Sequence, residues 1–199
     1  MDQVSDTGAE RWLFVVDAAA GTPKLVWHDR RDSRIYPSYV ARWHADGRRI
    51  LVVADLGERD HLYTLDADAG APTPIALTSG NWDVAGERGA ATVQVAGPEG
   101  AVYFTATVKN PYERHVYRMA AGDTAPVAIS RTAGVHVPVV SPDGQHVASL
   151  WSDDVTPTEL MVMDARPGAA ERRVTTSPPA EFARQTWTRP RYQLSLIHI

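Results

Sequence analysis

Ala45-Asp-Gly47, Arg49-Ile-Leu-Val-Val53 and His61-Leu-Tyr-Thr-Leu65 form a turn, a strand and a second strand, and the block returns twice. The second copy is Pro98-Glu-Gly100, Ala101-Val-Tyr-Phe-Thr105 and His115-Val-Tyr-Arg-Met119; the third is Pro142-Asp-Gly144, His146-Val-Ala-Ser-Leu150 and Glu159-Leu-Met-Val-Met163. The turn glycines Gly47, Gly100 and Gly144 lie 53 and 44 residues apart, and the strand starts His61, His115 and Glu159 lie 54 and 44 apart. Two independent landmarks therefore share one period. A repeat of roughly 45 residues with several short strands per unit is the signature of a β-propeller.

Short apolar alternation between turn signals marks the remaining strands. The first unit holds Trp12–Asp17, which resembles a third blade strand, and an outer strand Lys24–Trp27. The second holds Tyr39–Trp43, Ile50–Ala54, Leu62–Asp66 and Ile75–Thr78. The third holds Ala91–Val95, Val102–Thr107, Val116–Met119 and Val127–Ser130, and the fourth Val137–Val140, Val147–Trp151, Leu160–Asp164 and Val174–Thr175. Helical spacing of apolar residues is nearly nil. The fold class is all-β, a partial propeller of about three complete four-stranded blades plus part of another. Nothing before Arg11 reads as a preceding strand, so the chain is expected to begin inside a blade.

Composition narrows the function classes. Of 199 residues 44% are apolar, enough for a sizeable core, and the net charge is −4. No basic stripe exists, so nucleic acid is not an expected partner. There is no cysteine, which removes disulfides, thiolate metal sites and a cysteine nucleophile but leaves the compartment open between cytoplasm, periplasm and exterior. No apolar run approaches the ~18 residues of a membrane span, and Met1–Glu10 is polar, unlike a signal peptide.

The motifs of catalysis are missing. No G-x-S-x-G elbow, H-E-x-x-H, P-loop or G-x-G-x-x-G occurs, so no catalytic, cofactor or metal residue is assigned and no cofactor is expected. His61 and His115 occupy the same place in successive blades, which points to blade packing. Asp66-Ala-Asp-Ala-Gly70 echoes a calcium loop but lacks its third ligand and its Glu at position twelve; it reads as an acidic turn. Trp43 and Trp151 are expected in the core. Trp82 lies on an inter-blade connection, packed between blades or facing the central tunnel. The run His28-Asp-Arg-Arg-Asp-Ser-Arg34 reads as a solvated loop, with a tunnel-rim contact as the functional option.

Leu77-Thr-Ser-Gly-Asn-Trp-Asp-Val84, then Val102-Tyr-Phe-Thr-Ala-Thr107 and Pro111-Tyr-Glu-Arg-His-Val-Tyr-Arg-Met119, resemble the propeller of dipeptidyl-peptidase IV-type serine peptidases, a branch of the prolyl oligopeptidase family. Ser141-Pro-Asp-Gly144 is similar to its turn signature, though many propellers share it. Thr175–Phe182 and Trp187–Tyr192 resemble the exit from the last blade toward an α/β-hydrolase domain. The resemblance implies a parent serine exopeptidase that releases N-terminal dipeptides, often after Pro or Ala. Its propeller would gate peptide substrates, and its hydrolase domain in cis would carry Ser, Asp and His. The family often dimerises, partly through that domain. No adjacent Glu-Glu pair of the kind that holds the substrate amine occurs in this chain, and no catalytic residue carries over. The expected organisation is a partial propeller over 1–192, a non-native tail over 193–199, and no hydrolase domain. The hexapeptide Leu194–Ile199 resembles a translated transposon-adapter end; a native apolar tail or a closing strand is the other reading. The alternatives for function are a non-catalytic binding propeller of the Tol type and another branch of the peptidase family, such as acylaminoacyl peptidases or oligopeptidases.

Overall fold

The computed structural model describes residues 1–32, 40–70, 72–85 and 92–193. Four antiparallel meanders follow one another along the chain. The first blade is β1 (Asp2–Val4), β2 (Glu10–Val16) and β3 (Pro23–Arg30); the second is β4 (Val40–Trp43), β5 (Arg49–Asp55), β6 (Asp60–Asp66) and β7 (Ile75–Ala76). The third is β8 (Val93–Ala96), β9 (Ala101–Ala106), β10 (His115–Met119) and β11 (Val127–Ala128). The fourth is β12 (Val135–Val140), β13 (His146–Ser152), β14 (Glu159–Asp164) and β15 (Arg172–Arg173). Three four-stranded blades and one of three strands agree with the expected partial propeller. The tail Leu194–Ile199 and parts of the expected strands Tyr39–Trp43 and Ala91–Val95 lie outside the described residues.

Neighbouring blades cover both faces of the middle sheets, which explains why their strands read as almost unbroken apolar runs. Successive side chains point to opposite faces, so Ile50, Val52 and Ala54 meet Leu13 and Val26 of the first blade. Leu51 and Val53 turn the other way and meet Val93, Val102 and Phe104 of the third. Tyr103, Val116 and Ile129 then meet Val147, Trp151 and Met161 of the fourth. The turn glycines fall where the pattern requires them. Gly144 has φ +71°, and a Cβ there would lie 3.0 Å from Gly97 Cα in the adjacent blade, so both backbone conformation and close approach demand glycine.

Each complete blade fastens its outer strand by the same side-chain clasp. Thr78 Oγ1 accepts the Leu62 N–H at 2.9 Å and bonds His61 Nδ1 at 3.1 Å. Ser130 Oγ accepts the Val116 N–H at 2.9 Å and bonds His115 Nδ1 at 3.2 Å. Thr175 Oγ1 accepts the Leu160 N–H at 2.8 Å and donates to the Glu159 carboxylate. In each complete blade the residue just before Leu62, Val116 or Leu160, at the start of the third strand, therefore supplies the polar partner. That accounts for the shared place of His61 and His115, and it extends the role to Glu159. The outer strands are only two residues long, so the hydroxyl substitutes for ladder bonds that the strand is too short to make.

Two expectations change, and one short element is added. A strand and turn do precede Arg11: β1 pairs with β2, and the turn Ser5–Gly8 closes with Gly8 N–H on Ser5 O at 2.8 Å. Its polar sequence hid it, because backbone pairing needs no apolar side chain. Trp43 is 50% exposed rather than core. It shares its face with Ala41, toward the first blade, where no inner strand stands opposite it among the described residues. A short helix α1 (Ala180–Ala183) follows the fourth blade.

Ser130 is 2% exposed, so Ser130→Ala strands the Val116 N–H and His115 Nδ1 without a partner. The expected cost is about 1–3 kcal/mol by urea unfolding, with Ser130→Thr close to the parent. Equal losses in both variants would contradict the clasp.

Candidate functional site

At one end of the third and fourth blades, three loops converge with the C-terminal segment around a cleft of about 300 Å³. Local polar turns set the loops. Asn110 Oδ1 accepts the N–H groups of Tyr112 and Glu113 at 2.9 and 2.8 Å, and Asp153 Oδ1 accepts that of Val155 at 3.0 Å; both are Asx turns. Gly134 (φ +133°) lets the chain pass against the Ser152 carbonyl, where no Cβ fits. The C-terminal segment crosses the mouth. Trp187 stacks on Phe182 at 4.5 Å, and Tyr192 stacks on Tyr112 at 3.8 Å. Arg189 Nη2 donates to Asp153 Oδ2 at 2.7 Å, and the Tyr192 hydroxyl donates to Asp154.

The floor of the cleft is anionic. Partial burial opposes ionisation of Glu113, but hydrogen bonds from His115, Asn110 and Lys109 hold its pKa down to about 2. Asp153 is likewise lowered: burial works against it, and bonds from Thr156, Arg189 and Val155 outweigh that. Carboxylates beside a pair of tyrosines suit a cation, and the group held there is Arg189.

From Glu113 a polar line runs inward between the blades. Glu113 Oε2 bonds His115 Nε2 at 2.5 Å, and His115 Nδ1 bonds Ser130 Oγ. This Ser-His-carboxylate order resembles a catalytic triad but differs from one in exposure and geometry. Ser130 and His115 are each 2% exposed, and the serine oxygen is already used by the Val116 N–H. The imidazole also presents Nδ1 to the hydroxyl, where a triad uses Nε2. The same clasp recurs with Thr78 and Thr175, which marks it as a feature of the repeat. Beyond it, His136 packs at 5.6 Å from His115 and is fully buried; its Nε2 donates to the Thr132 carbonyl at 2.9 Å.

Trp82 packs against the cluster between the second and third blades and meets His61 edge-on at 5.0 Å, so the inter-blade option holds. In the charged run, His28 stacks on Trp12 and bonds Glu10, while Arg31 bridges Asp29 to Asp55 of the next blade. Ser33 and Arg34 lie outside the described residues. In the acidic turn, Asp66 pairs with Arg48, and Lys24 caps the carbonyls of Ala67 and Asp68. No cluster of three metal-capable side chains occurs among the described residues. Asp153, Asp154 and the tyrosine pair escaped the sequence reading: only folding brings 112, 153 and 192 together.

Burial pushes the His136 imidazole below the ordinary histidine range and His115 adds to this, against the Thr132 carbonyl and the carboxylates of Glu171 and Glu113. His136 is therefore neutral in the fold and protonates near pH 6.5 when unfolded. Above that pH its contribution is constant. Below it the unfolded chain takes the proton first, so stability falls with pH. The urea midpoint should fall as the pH is lowered below about 6.5, and less steeply in His136→Gln; an equally steep drop in the variant would contradict this assignment.

Residues 8–158 match the family model for the dipeptidyl peptidase IV (DPP IV) N-terminal region. Two fungal proteins named "Probable dipeptidyl-aminopeptidase B" are similar. That of Penicillium rubens is 30% identical over 137 residues, 61% of this chain and 14% of the relative. That of Uncinocarpus reesii is 41% identical over 58 residues, 28% of this chain and 6% of the relative. The chain thus spans a small part of the relatives it matches. Among solved structures, Porphyromonas gingivalis dipeptidyl peptidase 4 superposes with a TM-score of 0.73 at 22% identity, over 91% of this chain and 24% of that one; at that identity the likeness speaks to the fold. With a match over three quarters of its length and a propeller built blade by blade, the chain belongs to the dipeptidyl peptidase IV N-terminal region family.

Proposed function

We propose that this chain is part of the substrate-gating propeller of a serine exopeptidase that releases N-terminal dipeptides, and that it carries no catalytic centre of its own. The family match over residues 8–158 carries this reading. A packed arc of blades is a rigid wall, and peptides that pass it must be short or unfolded. The end of the arc that bears the cleft also receives the segment Trp187–Tyr192, so a hydrolase domain in cis would join there. In the parent, that domain supplies the serine nucleophile and its histidine base. The Ser130-His115-Glu113 line cannot replace it, being closed to substrate. Dimerisation belongs to the parent and rests on the family alone. No helix among the described residues is long and apolar enough to cross a membrane.

The purified chain, incubated with an Ala-Pro or Gly-Pro chromogenic amide, should give no turnover above background. Turnover abolished by a serine-directed inhibitor would refute the proposal. Sequencing the source DNA beyond the Tyr192 codon separates the proposal from a free-standing binding propeller. It should continue into G-x-S-x-G followed by Asp and His. A genuine stop after Ile199 in intact genomic DNA would favour the binding module.

A further inference from the structure

Two histidines face each other across the seam between the third and fourth blades. His115, at the start of β10, and His136, in β12, lie 5.6 Å apart between ring centres, and both are buried. The seam between the second and third blades is built otherwise. There His61, the counterpart of His115, meets the edge of Trp82 at 5.0 Å, and its nitrogens reach Thr78 Oγ1 and the Gly80 carbonyl. Where a neutral indole stands against one histidine, a second ionisable ring stands against the other.

The groups around His136 do little to hold a charge on it. Its Nε2 donates to the Thr132 carbonyl at 2.9 Å, and its Nδ1 lies 3.5 Å from the Ser149 hydroxyl. Two carboxylates attract it from further off, and both are engaged elsewhere. Glu113 accepts from His115, Asn110 and Lys109; Glu171 accepts the N–H groups of Arg131 and Thr132. Arg114, whose carbonyl accepts the His136 N–H at 3.0 Å, carries its guanidinium to the Pro111 and Glu113 carbonyls. Across its own sheet His136 pairs with Trp151, which is uncharged. A proton on His136 therefore meets burial and the ring of His115, and no carboxylate is bonded to it among the described residues.

The seam is fastened at both ends. At the cleft end, the Arg114 N–H donates to the Gly134 carbonyl and the His136 N–H to the Arg114 carbonyl, each at 3.0 Å. At the opposite end, the Gly97 N–H donates to the Pro142 carbonyl at 3.0 Å, and Gln94 holds the Pro138 carbonyl and the Val140 N–H at 2.7 and 2.9 Å. The histidine pair lies beside the first fastening. Water reaches His136 once those two bonds open, and the opposite end need not move. We propose that this seam is a pH-sensitive joint, which parts at the cleft end in mild acid with the facing His115 and His136 as its sensor and pivots on the Gln94 end. Tyr112 and Glu113 wall the cleft from the third blade, and segments 133–135 and 152–154 wall it from the fourth side, so parting widens the cleft. The open seam takes the proton that the closed one resists, and linkage favours it as the pH falls. The inference goes beyond the loss of global stability in acid and does not rest on the gating role.

The experiment is amide hydrogen exchange of the 199-residue chain, followed residue by residue by NMR at about pH 7.5 and about pH 5.5, on either side of the ordinary histidine value. Rates are corrected for the pH dependence of an unstructured amide. The amides of Arg114 and His136 report on the cleft end, and those of Gly97 and Val140 on the opposite end. A histidine that ionises only in the open seam makes opening about tenfold more frequent over that range. Protection at Arg114 and His136 should therefore fall about tenfold more than at Gly97 and Val140, and Arg114 should lose this excess in His136→Gln. Comparison of the two ends within the parent decides even where the variant folds poorly. An equal fall at both ends, no fall at either, or an excess that persists in His136→Gln would each overturn the joint.

Discussion

Face-to-face burial between successive sheets is the interaction on which the rest of the structure depends. A single four-stranded sheet of this size has no core of its own. Val53, Leu62 and Phe104 are fully buried only because the second and third blades press together. Each such side chain is worth about 1.5–3 kcal/mol, and three seams repeat the gain. The exposed ion pairs, such as Arg48 with Asp66, are worth at most about 1 kcal/mol each. Hydrophobic seams therefore hold the arc. Polar groups decide how its edges are finished: the hydroxyl clasps hold short outer strands, and Gln94 reaches across to the Pro138 carbonyl and the Val140 N–H on the neighbouring inner strand.

The clasp also limits functional reading from geometry. Ser130, His115 and Glu113 stand in hydrogen-bonded sequence, the outward form of a nucleophile, a base and an orienting acid. The repeat shows its origin, since Thr78 with His61 and Thr175 with Glu159 do the same work in the other blades. A hydroxyl committed to a backbone N–H and closed from solvent cannot attack a substrate. At the cleft, Glu113 and Asp153 are likewise committed, to His115 and to Arg189, beside the stacked Tyr112 and Tyr192.

Much of the fold was legible in the sequence because the seams write themselves there. Runs such as Ile50–Ala54 are apolar on both alternating faces, which only a sheet between two others requires, and Gly47, Gly100 and Gly144 mark the hairpins between them. What escaped follows from the same physics. Asp2–Val4 pairs through its backbone and carries no apolar signature. Trp43 is the right residue for a buried strand, but its exposure depends on what stands opposite. The cleft joins residues forty positions apart on different blades, so no local spacing announces it. Glu159 broke the histidine pattern at its position while keeping the polar role, because a carboxylate accepts from the same hydroxyl that an imidazole can bond.

Hydrogen exchange read by mass spectrometry tests most directly whether the seams hold the fold. Slow exchange marks segments that open only with the whole structure. In the 199-residue chain, β5 and β9, each covered on both faces, should be the last to exchange, while β7, β11 and β15 exchange early through loss of the clasps alone. If β5 and β9 exchange as fast as the outer strands, the blades are held as independent sheets and the account fails.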